Sequence, residues 1–263
     1  MIVRASAVDC AGVNNFGLLR APKSDGQEAI VFVTSVHEWD SLQSLALGAA
    51  LFRHMSSVPW LAKDIIWLVA DARECAGGEA AVRAWLNEYH SSSHLASKGS
   101  STFRRSGVII AGMNLEFNTT SFHEIEVSVE CDEGTLPNLD IYSLAQHMIR
   151  QRAKQTVTLQ RFNTSILSGI TKSIMDTMPK SQEMASIRKS LDSWVYQMSI
   201  MSRFLYNQVV GRATGAHGPF KHFSIDAVTI RAKHQSPTPS RKQISDDVLF
   251  TGIGGLLEGM VGT

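Results

Sequence analysis

Two short apolar runs, each followed by a helical pattern, constrain the fold of this chain more than any other feature. The runs 29–34 and 63–70 are rich in β-branched residues, as in strands that are buried on both faces of a sheet. The stretches 40–53 and 79–89 carry apolar residues at helical spacing, the first after an Asp and a Ser that suit a helix N-cap. This strand–helix–strand–helix order predicts a parallel sheet with right-handed crossover connections.

More strands and helices follow along the chain. Residues 107–117 and 125–130 predict two further strands, the second half-exposed because polar and apolar residues alternate in it. A helix is predicted from about 136 to 152, and a strand over 223–231. We therefore expect an α/β fold around a mostly parallel sheet of at least four strands.

The longest helical pattern spans residues 183–210. Its apolar residues recur at spacings of three and four, namely Ile187, Leu191, Trp194, Val195, Met198, Met201, Leu205 and Val209. We expect this methionine-rich stripe to belong to the core. A partner-facing role is the alternative, because methionine is also common at adaptable contact surfaces.

Charge and hydropathy exclude several classes of function. The chain has 25 Lys+Arg against 24 Asp+Glu, a formal charge of +1, which argues against a nucleic-acid or polybasic membrane surface. No apolar stretch approaches the ~20 residues that cross a bilayer, and no basic-then-apolar signal peptide opens the chain. We expect any membrane or secretory address to lie outside this sequence. The three cysteines have no C-x-x-C spacing and leave the redox compartment open.

Polar residues that follow the predicted strands are the candidates for a site, because open α/β sheets bind ligands at the carboxyl ends of their strands. They are Thr34, Asp40, Asp71 and Glu116, with His217 in a glycine-containing loop ahead of the last strand. Three carboxylates and one imidazole are a ligand set that suits zinc. The alternative is structural, with an N-cap, a turn former, a charge at a sheet edge and an exposed loop histidine. The sequence contains no G-x-S-x-G nucleophile motif and no phosphate-binding glycine loop after a strand.

Two glycosylation sequons begin at Asn118 and Asn163. They permit a lumenal location for the chain. Chance occurrence is the alternative, because the pattern is short and common.

Five strings stand out along the chain: GVNNFGLLRAP at 12–22, WLAKDIIWLV at 60–69, AWLNEYH at 84–90, GTLPNLD at 134–140, and GAHGPF at 215–220 followed by AVTIRA at 227–232. In this order they resemble the family of the glycosylphosphatidylinositol (GPI) anchor attachment subunit of the GPI transamidase complex. The resemblance implies a lumenal domain of the endoplasmic reticulum with a three-layer α/β sandwich similar to zinc aminopeptidases. In that family the domain lies between an amino-terminal transmembrane helix and a carboxy-terminal multi-span bundle.

The resemblance also implies how the chain is divided. Residues 1–234 correspond to the lumenal aminopeptidase-like domain without its amino-terminal part. Residues 235–263 correspond to a polar linker and a helix that leads toward a membrane region. We therefore expect this sequence to be a fragment that lacks both membrane parts of the family.

The aminopeptidase pattern implies roles for four of the candidate residues. Asp40 falls near the bridging aspartate, Asp71 near the paired glutamates, Glu116 at the aspartate that ends the next strand, and His217 at the final ligand histidine. The first ligand histidine is replaced around Thr34 or Ser35, although His37 lies close, and the glutamate pair is reduced to Asp71–Ala72. A two-metal peptidase needs both metals and a base of sufficient reach. We therefore expect no catalytic residue and no cofactor, with a residual zinc site as the alternative.

Three functional hypotheses follow from the resemblance. The first is a non-catalytic subunit that helps present the proprotein and the GPI lipid to the cysteine-protease-like catalytic subunit of the complex. The second is a metallopeptidase-like enzyme that uses a residual single-metal site to assist amide bond formation. The third is an interaction scaffold that uses the methionine-rich helix and the serine-rich loop 91–106. Each of them makes the other transamidase subunits partners, places the domain on the lumenal side of the endoplasmic reticulum membrane, and involves no nucleic acid.

Overall fold

The computed structural model describes residues 2–4, 11–36, 42–73, 78–91, 105–117, 124–135, 138–154, 157–159, 182–211, 213–233 and 246–262. Within these ranges the strands are β1 (Ile2–Arg4), β2 (Ala11–Val13), β3 (Asn15–Leu19), β4 (Glu28–Val36), β5 (Asp64–Asp71), β6 (Val108–Glu116), β7 (Glu124–Ser128), β8 (Val157–Leu159) and β9 (Asp226–Lys233). The α-helices are α1 (Leu42–Ser56), α2 (Gly78–His90), α3 (Leu139–Met148), α4 (Gln182–Val210) and α5 (Asp246–Gly262). Two 3-10 helices, Asp132–Gly134 and Gly218–Phe223, and a π-helical turn, Ile149–Ala153, complete the described elements.

One mixed sheet organises the fold. Its strand order is β3-β5-β4-β6-β9-β7-β8, and β1 and β2 form a separate antiparallel pair. The pairs β5–β4, β4–β6, β6–β9 and β7–β8 are parallel, whereas β3–β5 and β7–β9 are antiparallel. The prediction of an α/β fold with a mostly parallel central sheet is confirmed.

Helices cover both faces of this sheet, which makes three layers. Successive residues of β4 point to opposite faces, so Ile30 and Phe32 join one apolar cluster while Val31 and Val33 join the other. The first cluster packs the sheet against α1, α3 and α5, and the second packs it against α2 and the 3-10 helix Gly218–Phe223. Burial on both faces explains why β4 is an almost unbroken apolar run.

Helix α5 packs into the first of these clusters. Ile253, Leu256 and Leu257 are fully buried, and Gly254 faces Leu51 of α1. None of the described helices is both long enough and apolar enough to span a bilayer. The linker predicted over 235–242 lies outside the described residues, and the division of the chain at residue 234 stays a prediction.

Two expectations about exposure are wrong. The methionine-rich stripe of α4 is not core, because Trp194, Met201 and Leu205 are 57%, 56% and 49% exposed. Strand β7 is buried along its whole length instead of half-exposed, because it lies between β9 and β8 inside the sheet. Its two glutamates have partners there: Glu124 accepts from Thr158 Oγ1 at 2.9 Å, and Glu126 lies 3.8 Å from Arg231.

Candidate functional site

The candidate site lies where the parallel strands β4, β5 and β6 end. Asp71 ends β5 and Glu116 ends β6, with β4 between them, so their strands are about 10 Å apart. Thr34 of β4 pairs with both Val69 and Leu115, so Glu116 is level with Ala70, one residue before Asp71. Since successive residues point to opposite faces, the two carboxylates leave the sheet on opposite sides.

Asp71 is held by an ion pair. Arg73 donates from Nε to Oδ1 and from Nη2 to Oδ2, both at 2.9 Å, and the backbone N–H of Val13 donates to Oδ2 at 3.2 Å. The hydrogen bonds from Arg73, more than any other cause, lower the pKa of Asp71 from 3.8 to about 2. A carboxylate with so low a pKa is a weak general base near neutral pH.

The carboxylate of Glu116 also accepts hydrogen bonds from neighbouring side chains. Arg231 donates to its Oε2 from Nε at 2.8 Å and from Nη2 at 2.5 Å, and Asn114 donates to its Oε1 at 2.8 Å. The same Arg231 donates to the carbonyl of Thr214 at 2.8 Å. Glu116 therefore ties β6 to β9 and to the loop that carries His217.

His217 is buried, with 2% of its surface exposed. Its Nε2 lies 2.7 Å from the backbone oxygen of Glu130, which can only accept, so Nε2 carries the proton. Its Nδ1 lies 2.8 Å from Oγ1 of Thr229 and accepts a hydrogen bond from that hydroxyl group. Burial lowers the pKa of His217 below 6.5 and keeps the ring neutral. Both ring nitrogens are thus occupied.

These contacts join into a buried polar network. Asn114 donates to Thr229 at 3.1 Å, which links Glu116 to His217 and so to Glu130. The Glu130 carboxylate accepts from Thr214 Oγ1 at 2.9 Å and from Asn207 Nδ2 of α4 at 3.2 Å. The network therefore runs from the edge of the sheet to the long helix.

Sequence reasoning missed most members of this network, namely Asn114, Glu130, Asn207, Thr214, Thr229 and Arg231. The signal that could have found two of them is a polar residue inside an otherwise apolar strand. Asn114 in β6 and Thr229 in β9 are both fully buried. Such residues need partners, which suggests a shared hydrogen-bond network.

The described residues do not fit a zinc ion. Within the described ranges no three His, Cys, Asp or Glu side chains gather as metal ligands. The atoms of Asp71, Glu116 and His217 that could bind a metal already form hydrogen bonds with other protein groups. Thr34, one of the two residues to which the resemblance assigns the replaced first ligand histidine, accepts from Trp67 Nε1 at 3.0 Å. Asp40 lies outside the described residues, so the four-residue hypothesis itself stays a prediction.

The glycosylation candidates also remain untested by the structure. Asn118 and Asn163, together with His37 and most of the serine-rich loop, lie outside the described residues.

Comparison with solved structures defines the class of fold. The chain is similar to a Zn-dependent exopeptidase from Bacteroides vulgatus, with a TM-score of 0.50 and 7% sequence identity, over 99% of this chain and 75% of that one. At this identity the likeness concerns the fold alone. The chain thus has an exopeptidase-like α/β fold in which each described candidate residue is hydrogen-bonded to other groups of the chain.

Sequence comparison shows the family. The chain belongs to the Gaa1-like, GPI transamidase component family, which it matches over residues 11–262. It is 31% identical over 139 residues to "GPI transamidase component GAA1" of Saccharomyces cerevisiae, which covers 51% of this chain. It is 25% identical over 232 residues to "GPI transamidase component gaa1" of Schizosaccharomyces pombe, which covers 86% of this chain. The matched regions span only 20% and 35% of those relatives.

Proposed function

We propose that this chain is the lumenal, non-catalytic part of a GPI transamidase subunit in the endoplasmic reticulum. Its membership of the Gaa1-like family supports the assignment to the transamidase. In this proposal the domain helps present the proprotein and the GPI lipid, and a cysteine-protease-like partner subunit performs the transamidation. The other transamidase subunits are therefore its protein partners.

The observation that carries the non-catalytic assignment is the hydrogen bonding of His217. A metal ligand or a general base needs a free nitrogen lone pair, and Thr229 occupies the one on Nδ1. The ion pairs of Asp71 with Arg73 and of Glu116 with Arg231 also support the non-catalytic assignment. These side chains stabilise the fold at the carboxyl edge of the parallel strands, where open α/β sheets bind their ligands.

The test is a GPI-anchoring assay in cells that depend on the full-length protein carrying this chain. Asp71→Asn removes the carboxylate charge and keeps the side chain's size. If Asp71 is structural, anchoring per molecule of protein stays within about twofold of wild type, whereas losing a general base costs at least ~100-fold. A loss of that size at normal protein level contradicts the proposal.

A direct test of the assembly uses the same full-length protein. After detergent extraction we expect it to co-purify with the other transamidase subunits. Recovery without any of them contradicts the assignment to the complex.

A further inference from the structure

Helix α4 carries a continuous apolar stripe that the fold leaves exposed. The stripe consists of six side chains that are 38% to 86% exposed, namely Ile187, Trp194, Met198, Met201, Leu205 and Val209. At 100° per residue they fall within an arc of about 80°, and at 1.5 Å per residue they extend over about 33 Å. We call this surface the α4 stripe.

The opposite side of α4 attaches the helix to the domain. Ser199 and Asn207 are buried, and Asn207 donates to the carboxylate of Glu130 at 3.2 Å. The helix also contacts the turn Asp132–Gly134. Because these contacts lie on the other side of the helix, they leave the α4 stripe facing away from the domain.

The α4 stripe is large enough for the apolar centre of a protein interface. Its side chains expose on the order of 600 Å², at the upper end of the largest apolar patch on a typical monomer. A specific protein–protein interface buries about 800 Å² per partner, including a polar rim. The stripe and its polar borders match that size.

Charge distinguishes a protein partner from a lipid surface. From Ile187 to Val209 the charged residues are Arg188, Lys189, Asp192 and Arg203. Helical geometry places Lys189, Asp192 and Arg203 about 140° to 160° from the centre of the stripe, and Arg188, at its amino-terminal end, about 100° from it. A helix that lies on a membrane usually carries Lys and Arg on its polar face beside the apolar one. Apart from Arg188 at its amino-terminal end, the α4 stripe lacks that border, so its occupant presents an uncharged apolar face.

The spacing of the side chains indicates the shape of that face. Adding the half-buried Leu191, the series 187, 191, 194, 198, 201, 205 alternates steps of four and three residues. This is the spacing with which one helix packs along another, each side chain fitting between side chains of the partner. The complementary surface is therefore an amphipathic helix.

We propose that the α4 stripe binds the uncharged, apolar face of an amphipathic helix of another transamidase subunit. This inference rests on the proposed function, because the relatives are named as components of the transamidase and a component needs a partner surface. The contact buries the methionines and Trp194 as the centre of the interface. A second copy of this chain and a lipid surface are the competing occupants.

Two double variants of the full-length protein test the proposal by co-purification with the transamidase subunits. Met201→Glu with Leu205→Lys places an opposite-charge pair on the stripe, and we expect recovery of the partners to fall at least tenfold. Lys189→Glu with Ser193→Lys places the same charge pair on the exposed side away from the stripe, about 160° and 120° from its centre, and recovery should stay unchanged. Equal recovery of partners by both variants overturns the inference and leaves the proposed function intact. If the wild-type protein recovers no partner, the proposed function fails and the inference with it.

A photo-crosslinking residue at Met201, in an otherwise wild-type chain, identifies the occupant even if the charged variant unfolds. We expect a crosslink to another transamidase subunit and none from the matched position Ser193. A crosslink only to a second copy of this chain, only to lipid, or to nothing overturns the proposal.

Discussion

Arg73 holds both carboxylate oxygens of Asp71 at 2.9 Å, across only two residues of the chain. The same carboxylate accepts the backbone N–H of Val13 in β2, so it also links the small sheet to β5. An aspartate in this arrangement supports structure through its charge. Its contribution to stability must therefore depend on pH.

Acid should remove the stability that Asp71 provides. Its pKa is lowered to about 2 in the folded chain, so its contribution is fully present above the unfolded value of 3.8 and is lost as the pH falls from about 4 to 2. Allowing for the exposure of Arg73, we expect Asp71→Asn to cost about 1 to 2 kcal/mol at pH 7. Urea unfolding at a series of pH values measures it. The exposed Asp25→Asn is the control, and a parallel acid response of wild type and Asp71→Asn would contradict the prediction.

The buried histidine should have its own pH signature. Because the pKa of His217 is below 6.5 in the folded chain, the unfolded state binds the proton first, and stability falls as the pH drops below 6.5. Replacing it with Gln removes this dependence, which amounts to at most about 1.4 kcal/mol per pH unit. The measurement is the difference in unfolding free energy between wild type and His217→Gln from pH 7 to 5. The exposed His147→Gln should leave the wild-type slope unchanged, and a slope that persists in His217→Gln would show that His217 is not its source.

A glycine contact at the start of α2 predicts a local steric effect. A Cβ atom added to Gly78 would lie closer to Oγ of the buried Ser35 than non-bonded atoms can approach each other. We expect Gly78→Ala to cost about 1 to 3 kcal/mol. In Gly254→Ala the new Cβ lies an ordinary 3.8 Å from Leu51, so this helical substitution should be neutral or stabilising by up to about 1 kcal/mol. Thermal unfolding compares the two, and equal effects would contradict the steric account.

The occupied nitrogens of His217 predict weak zinc binding. After dialysis against trace zinc, we expect the purified chain to hold well below one zinc per molecule by mass spectrometry. His217→Gln should give the same value as wild type. One zinc per chain that disappears in His217→Gln would instead restore the residual metal site of Asp40, Asp71, Glu116 and His217.

The order of strands and helices was readable from the sequence because it depends on short-range pattern. A continuous apolar run such as 29–34 indicates a strand that is buried on both faces. Helical spacing of apolar residues, as in 79–89, indicates a helix that is buried on one side. Those patterns predicted β4, β5, α1 and α2, and with them the parallel sheet. The edge strands β3 and β8 were missed, because they are short or only partly buried.

The site depended on contacts that no local pattern contains. Polar residues after the strands pointed correctly to the edge of the sheet, but their partners are distant in sequence. Arg231 is 115 residues from Glu116, and Glu130 is 87 residues from His217. Only strand order and register bring these groups within hydrogen-bond distance.

Helix α4 also separates what local sequence pattern predicts from what tertiary packing decides. The sequence by itself determined that residues 187–209 form a helix with one apolar side, because the backbone period of 3.6 residues is a local property. The tertiary structure alone decided that this side faces outward, since the domain holds α4 through Ser199 and Asn207 on the other side. The spacing of apolar residues shows which side of a helix gains free energy when it is removed from water. The packing of the whole chain decides whether another part of the same chain covers that side.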